Sequence, residues 1–226
     1  MKKHFLTITA IVLTAGTLVF TGCKKDDTEA PEVTINGGDQ TISLQGTYTE
    51  LGATAKDDKD GTLTPTIEGM VDVNKAGTYV ITYSATDAAG NVGEATRTVT
   101  VKNDAAAVWV GTYAGSETDV NGLYTYTHDL VVTASDVKNN RIWITPLADF
   151  ANNKVYVDVT GNNLDIPVQI VVGVGTGTTA SCDVHNRQTS GTGAKTSTGF
   201  TLTYNDAKVS PCSGSRTAVA ATFIKK

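Results

Sequence analysis

The stretch GTYVITYSATD, residues 77–87, decides the fold of the first half of the chain. Tyr79, Ile81, Tyr83 and Ala85 alternate with Val80, Thr82, Ser84 and Thr86. A period of two puts the first set on one face of a strand and the second on the other. AAGN (88–91) then turns the chain, and ATRTVTV (95–101) returns with Val99 and Val101 inward. Upstream, EVTI (32–35) and TISL (41–44) alternate in the same way around the turn NGGD (36–39), and DDKDG (57–61) is another turn. Short strands separated by turn residues predict a small β-sandwich over residues 31–102. No Cys…Trp…Cys core is present, so the sandwich is not of the antibody type.

GATAKDDKDGTLTP (52–65) followed by VDVNKAGTYVITYSATDAAGNVGEATRTVTV (71–101) resembles the bacterial immunoglobulin-like domains related to hyalin repeats and to the Ig-like module of crystal toxins. The resemblance runs from Pro31 to Val101 and implies a spacer or adhesive unit rather than a catalyst. Asp57, Asp58, Asp60, Asp87 and Asn91 offer hard oxygen ligands of the kind Ca²⁺ takes. Asp and Asn also favour turns for local hydrogen-bond reasons, and the spacing lacks the closing Glu of an EF-hand loop. The reading therefore expects no metal and no cofactor.

NDAAA (103–107) is a short linker, and residues 108–226 form a second β-rich unit. Eight β-like runs follow one another: 109–115, 123–133, 141–146, 155–160, 163–167, 169–175, 199–204 and 217–224. So many sequential antiparallel strands must close or cover their edges, which predicts a β-barrel or a barrel-like sandwich. The whole molecule is thus expected to be all-β. WVGTY (109–113) resembles the opening of lipocalin-like barrels, and the unit resembles the uncharacterised C-terminal domains of Bacteroidota surface lipoproteins.

No chemistry-bearing motif stands out in this half. There is no G-x-S-x-G elbow and no H-E-x-x-H. His128 shares a strand face with Tyr124, Tyr126 and Leu130; His185 sits near Cys182 in loop-like text. A lone His proves little without a nucleophile and an orienting group. Glu117 is the only Glu after the linker, whereas a glycosidase needs two carboxylates facing each other. The glycines of VVGVGTGTT (171–179) precede no helix, so they make no phosphate cradle. No catalytic residue is assigned. Trp143, Tyr124, Tyr126 and Tyr156 are candidates for stacking on a glycan or small ligand, against a competing role in the core. Trp143 points opposite to Ile142 and Ile144, and so lies either in the lumen or on the outer wall.

The N-terminus says where the protein works. Lys2 and Lys3 precede a short apolar run from Phe5 to Phe20, too short for the roughly 20 residues of a spanning helix. Phe20-Thr21-Gly22-Cys23 resembles a bacterial lipobox. That resemblance implies a signal peptide over 1–22, and acylation of Cys23 with palmitate or a similar chain. Two or three acyl chains make a lasting anchor where one does not. Residues 23–30 read as an acylated flexible tether. Lys25, Asp26 and Asp27 resemble the export signal that sends Bacteroidota lipoproteins to the outer face of the outer membrane. With Cys23 acylated, Cys182 and Cys212 remain as a candidate disulfide in an oxidising compartment, with free thiols as the alternative.

Without its signal the chain carries 16 Lys and Arg against 23 Asp and Glu, a balance of −7. That acidity disfavours nucleic acid as a partner. The sequence thus points to a lipid-anchored surface protein in which an Ig-like spacer presents a barrel for non-catalytic binding of a glycan or small ligand. A structural or adhesive protein-binding role, and an unrecognised hydrolase, are the alternatives.

Overall fold

The computed structural model describes residues 26–119, 122, 125–147, 154–171, 187–208 and 215–226. The chain is all-β, as the alternation required. The first seven strands form a two-sheet sandwich. β1 (Glu32–Ile35), β3 (Ala53–Asp57) and β4 (Gly61–Leu63) make one sheet; β2 (Gln40–Ser43), β7 (Val92–Lys102), β6 (Gly77–Thr86) and β5 (Thr66–Glu68) make the other. β6 and β7 pair antiparallel along their length, and β2 joins β7 in parallel. Ile81, Tyr83, Val99 and Val101 are buried between the sheets. Full burial of each such side chain contributes about 1.5–3 kcal/mol.

Arg97 occupies this core as well, with no exposed surface. Its guanidinium donates to Glu50 Oε1 and to Tyr83 Oη, each at 2.5 Å. It also reaches the backbone oxygens of Asn36, Gly38 and Gly52. Nearly every donor is satisfied, which is the condition for burying a charge. Burial pushes the Glu50 carboxyl upward, but hydrogen bonds from Tyr48, Tyr83, the Gly52 amide and Arg97 outweigh it and hold the group at about 2.

A short helix, α1 (Ala106–Trp109), leads into a closed antiparallel barrel. Its strands are β8 (Gly111–Thr118), β9 (Thr125–Ala134), β10 (Arg141–Thr145), β11 (Val155–Thr160), β12 (Asn163–Val171), β13 (Arg187–Lys195), β14 (Gly199–Lys208) and β15 (Ser215–Lys225). β15 pairs with β8 and closes the ring. Eight strands enclose a space that side chains can fill. Leu130, Ile142, Ile144, Val157, Phe200 and Phe223 fill it, all fully buried. Phe200 packs on Phe223 at 4.8 Å and on Tyr113 at 4.9 Å between ring centroids.

Three sequence expectations need correction here. Trp109 was expected on the first barrel strand; it lies in α1 instead, packed edge-on to Phe200, and its carbonyl accepts from Tyr113 Oη at 2.7 Å. The runs 163–167 and 169–175 are not two strands: β12 continues through Pro167, with its register shifting between Ile166 and Gln169. The Gln169 side chain turns back to the Tyr156 backbone, accepting from its amide at 3.0 Å and donating to its carbonyl at 2.8 Å. The eighth strand is β13, RQTSGTGAK, which shows no apolar alternation. Its glycines are its contribution: a Cβ on Gly191 would stand 2.4 Å from the Thr203 carbonyl oxygen and 2.6 Å from Tyr204 Cα.

The linker is not a loose hinge. Asn103 is 3% exposed. Its side-chain amide donates to the carbonyls of Ser135, Lys138 and Arg141, while its Oδ1 accepts from the amides of Ala105 and Asn140. Around it, Asp104 bonds Asn139 and Ser43, Gln45 Oε1 accepts from the Asn139 amide, and the Ala76 amide donates to the Asp136 carbonyl at 2.6 Å. The β9–β10 connection is thereby stitched to the sandwich. The tether is likewise held at its end, because Asp27 pairs with Lys59 at 2.8 Å and its carbonyl accepts from Asn91 Nδ2.

Candidate functional site

The up-and-down order of the barrel gives it two unlike ends. At one end lie the linker, α1 and the connections after β9, β11 and β13, spanning residues 135–140, 161–162 and 196–198. At the other, β8, β10, β12 and β14 end, and β9, β11, β13 and β15 begin. The connections at this second end span residues 119–124, 146–154, 172–186 and 209–214. Connections of this kind carry binding residues in many folds, because a rigid scaffold positions them.

The barrel interior becomes polar toward that end. Glu117 projects inward from β8, in phase with Tyr113 and Gly115, and is fully buried. Tyr204 projects inward from β14, in phase with Phe200 and Leu202, and its hydroxyl donates to Glu117 Oε2. Burial and then the Glu117 charge push the Tyr204 phenol far above its ordinary range, so it remains a donor. Asp206, two residues further along β14, is also buried. From β9 come Tyr126 and His128, whose rings stack at 6.3 Å. His128 Nε2 lies 3.3 Å from Glu117 Oε1.

Both ring nitrogens of His128 are buried, and among the described residues neither completes a hydrogen bond. A buried polar group without a partner calls for a physical explanation. Glu117, fixed by Tyr204, holds the imidazole beside it. Both imidazole nitrogens are buried near the barrel end, with the Tyr126 ring stacked against the imidazole. Such a mix of a few convergent polar groups and an aromatic face suits a small polar ligand.

The sequence candidates do not converge on one place. Tyr126 is inside, at this end. Trp143 and Tyr156 are cross-strand partners on the outer wall, with ring centroids 5.8 Å apart. Of the two orientations open to Trp143, the structure adopts the outer one. Both outer rings are already capped by cations: Lys154 Nζ sits 4.5 Å from the Trp143 centroid and Arg141 Cζ 4.0 Å from that of Tyr156. Arg141 is held there by a two-point contact to Asp158, at 2.6 and 2.8 Å. Tyr124, His185, Cys182, Cys212, Cys23 and Lys25 lie outside the described residues. Glu117 and Tyr204 were not chosen from sequence, although strand phase places both inward.

Comparison with known proteins bears on the first unit. Residues 33–101 match the family described as bacterial surface protein, Ig-like domain. The matched span ends before the barrel. No curated protein matches the chain. Among solved structures, a lipoprotein from Bacteroides thetaiotaomicron aligns over 87% of this chain and 100% of its own, at 18% identity and a TM-score of 0.35. A structure of CBM51-2 in complex with GlcNAc and INT domains from Clostridium perfringens ZmpB aligns over 86% of this chain and 43% of its own, at 14% identity and a TM-score of 0.26. At such scores neither likeness carries an argument.

Proposed function

We propose that this is a lipid-anchored protein of the bacterial cell surface, in which the Ig-like unit carries a barrel that binds a small polar ligand, a glycan first among them, without catalysis. The observation that carries the ligand reading is His128: an imidazole whose Nε2 lies 3.3 Å from Glu117 of the buried Glu117–Tyr204 pair, and whose Nδ1 is buried with no hydrogen-bond partner among the described residues. A hydroxyl-bearing ligand bound at this end of the barrel would supply that partner. Binding without turnover is favoured because no Ser, Thr or Cys side chain is hydrogen-bonded to the imidazole among the described residues, as nucleophile activation would need.

The surface reading rests on the lipobox-like Phe20–Cys23, the export-like Lys25-Asp26-Asp27 and the surface-protein Ig-like match over residues 33–101. Protease added to intact cells tests it. Shaving of the wild-type protein is expected, together with loss of membrane association in Cys23→Ser. A protein that resists shaving faces the periplasm instead. For the ligand, detergent-solubilised protein is applied to a glycan array. Signals that vanish in His128→Ala, in a variant that still folds, support the reading; silence on all glycans and small polyols overturns it.

A further inference from the structure

The tether and two turns of the Ig-like unit bring three carboxylates together. Oxygen atoms of Asp27, Asp57 and Asp87 lie within 4.8 Å of one another. Asp57 and Asp87 are 4% and 7% exposed, and the Asp27 side chain 10%. Three carboxylates this close and this dry repel one another strongly unless something neutralises them. Lys59, paired with Asp27, supplies one positive charge for three negative ones.

The pattern of hydrogen bonds shows which oxygens are committed. Asp57 Oδ1 accepts from the amides of Lys59 and Asp60, at 2.9 and 2.7 Å. Asp87 accepts from the amide and side chain of Asn91, at 2.8 and 2.7 Å. Asp27 Oδ1 takes Lys59 and the Glu29 amide. Asp57 Oδ2 is buried and has no hydrogen-bond partner among the described residues. An uncommitted buried carboxylate oxygen, in a cluster of like charges, is the second observation that acidity alone would not provide.

We propose that Asp27, Asp57 and Asp87 bind a hard divalent cation, with Ca²⁺ the best fit. Ca²⁺ takes six to eight oxygens in flexible geometry, and carboxylates on turns supply them together with water. Asp57 contributes Oδ2, its Oδ1 being held by the turn. Asp87 is oriented by Asn91, whose side-chain amide also reaches the Asp27 carbonyl at 3.2 Å. The consequence is mechanical. Asp27 lies four residues after Cys23, so the cation would clamp the membrane-proximal segment to the sandwich and fix how the protein stands on its anchor.

The test uses detergent-solubilised full-length protein freed of metal by chelation. Calorimetric titration with CaCl₂ should show one ion per chain, with a Kd of about 10⁻⁴–10⁻³ M as in extracellular modules. Melting of the Ig-like unit should rise by about 4–8 °C at saturating Ca²⁺ and fall back with chelator. Asp57→Asn and Asp27→Asn should each weaken binding by at least about tenfold. Asp27 lies outside every strand, so its substitution leaves the sandwich able to fold. No heat and no shift in melting at millimolar Ca²⁺ overturns the proposal, and so does binding that both variants leave unchanged.

Discussion

The side-chain amide of Asn103 donates to the backbone oxygen of Arg141 at 2.8 Å. Two more carbonyls, of Ser135 and Lys138, converge on the same nitrogen, and two amides converge on Oδ1. One linker side chain thereby satisfies the connection between β9 and β10. Asn103→Ala leaves those buried groups without their partner. A loss of about 2–4 kcal/mol is expected in chemical denaturation, since each orphaned buried group costs about 1–3 kcal/mol and part is recovered by water. Small-angle scattering should also show a looser angle between the two units. An unchanged profile and unchanged stability would remove Asn103 from this role.

Arg97 and Glu50 make the Ig-like unit acid-sensitive. The Glu50 carboxyl sits at about 2 in the folded protein against 4.5 unperturbed. Its folded value is depressed, so the stability it contributes is present above about pH 4.5 and is lost as the pH falls toward 2. The contribution is on the order of 2 kcal/mol after screening, because the side chain is 31% exposed. Glu50→Gln should flatten the melting profile between pH 4.5 and 2. The Lys59 contact holds Asp27 low as well, so some acid sensitivity remains. Arg97→Ala should cost about 3–5 kcal/mol at neutral pH, as expected when one partner of a buried pair is removed. A Glu50→Gln profile that matches the wild type across this window would refute the assignment.

Gly191 tests the close approach of β13 to β14. A methyl group there would press on the backbone oxygen of Thr203 rather than on a movable side chain. Gly191→Ala should destabilise the barrel by about 1–3 kcal/mol through overpacking. The same substitution at Gly161, which has open space around its Cβ position but a φ of +60°, probes strain alone. Thermal unfolding that is equal for Gly191→Ala and wild type would contradict the packing described.

Tyr204 and Glu117 form the support of the candidate site. Tyr204→Phe removes a donor to a fully buried carboxylate and should cost about 1–3 kcal/mol or more. Adding Glu117→Gln in the Tyr204→Phe background should recover part of that loss, because a neutral amide needs the lost donor less than a buried carboxylate does. A double-mutant cycle on denaturation midpoints reads the coupling directly. Strict additivity would mean that the two side chains do not act together.

Much of the fold could be read in the sequence because alternation is a physical requirement of half-buried strands. Tyr79, Ile81, Tyr83, Val99 and Val101 all face the core that their phase assigns. The same phase put Arg97 inward with Val99, a signal that charge obscured: a buried Arg needs partners, and Glu50, Asn36 and Gly52 lie about 45–60 residues away in sequence. β13 escapes the alternation because its inward positions are Thr189 and the glycines Gly191 and Gly193, of which the glycines admit a neighbour rather than pack. The site was harder still. Tyr126 could be named as an aromatic on a strand, but Glu117, His128 and Tyr204 become a unit only when β15 closes the ring against β8 and brings β14 near β9. Trp143 drew notice for its size, yet its ring is covered by Lys154 on the outer wall.

The most direct test of the account compares the inner end of the barrel with its outer wall in one glycan-array experiment. Wild-type protein should bind a defined subset of glycans. His128→Ala and Tyr126→Ala should lose that signal while retaining cooperative unfolding, and Trp143→Ala with Tyr156→Ala should keep it. Loss of binding in the outer-wall variant with retention in the His128 and Tyr126 variants would contradict the account, as would a wild-type protein that binds nothing on the array.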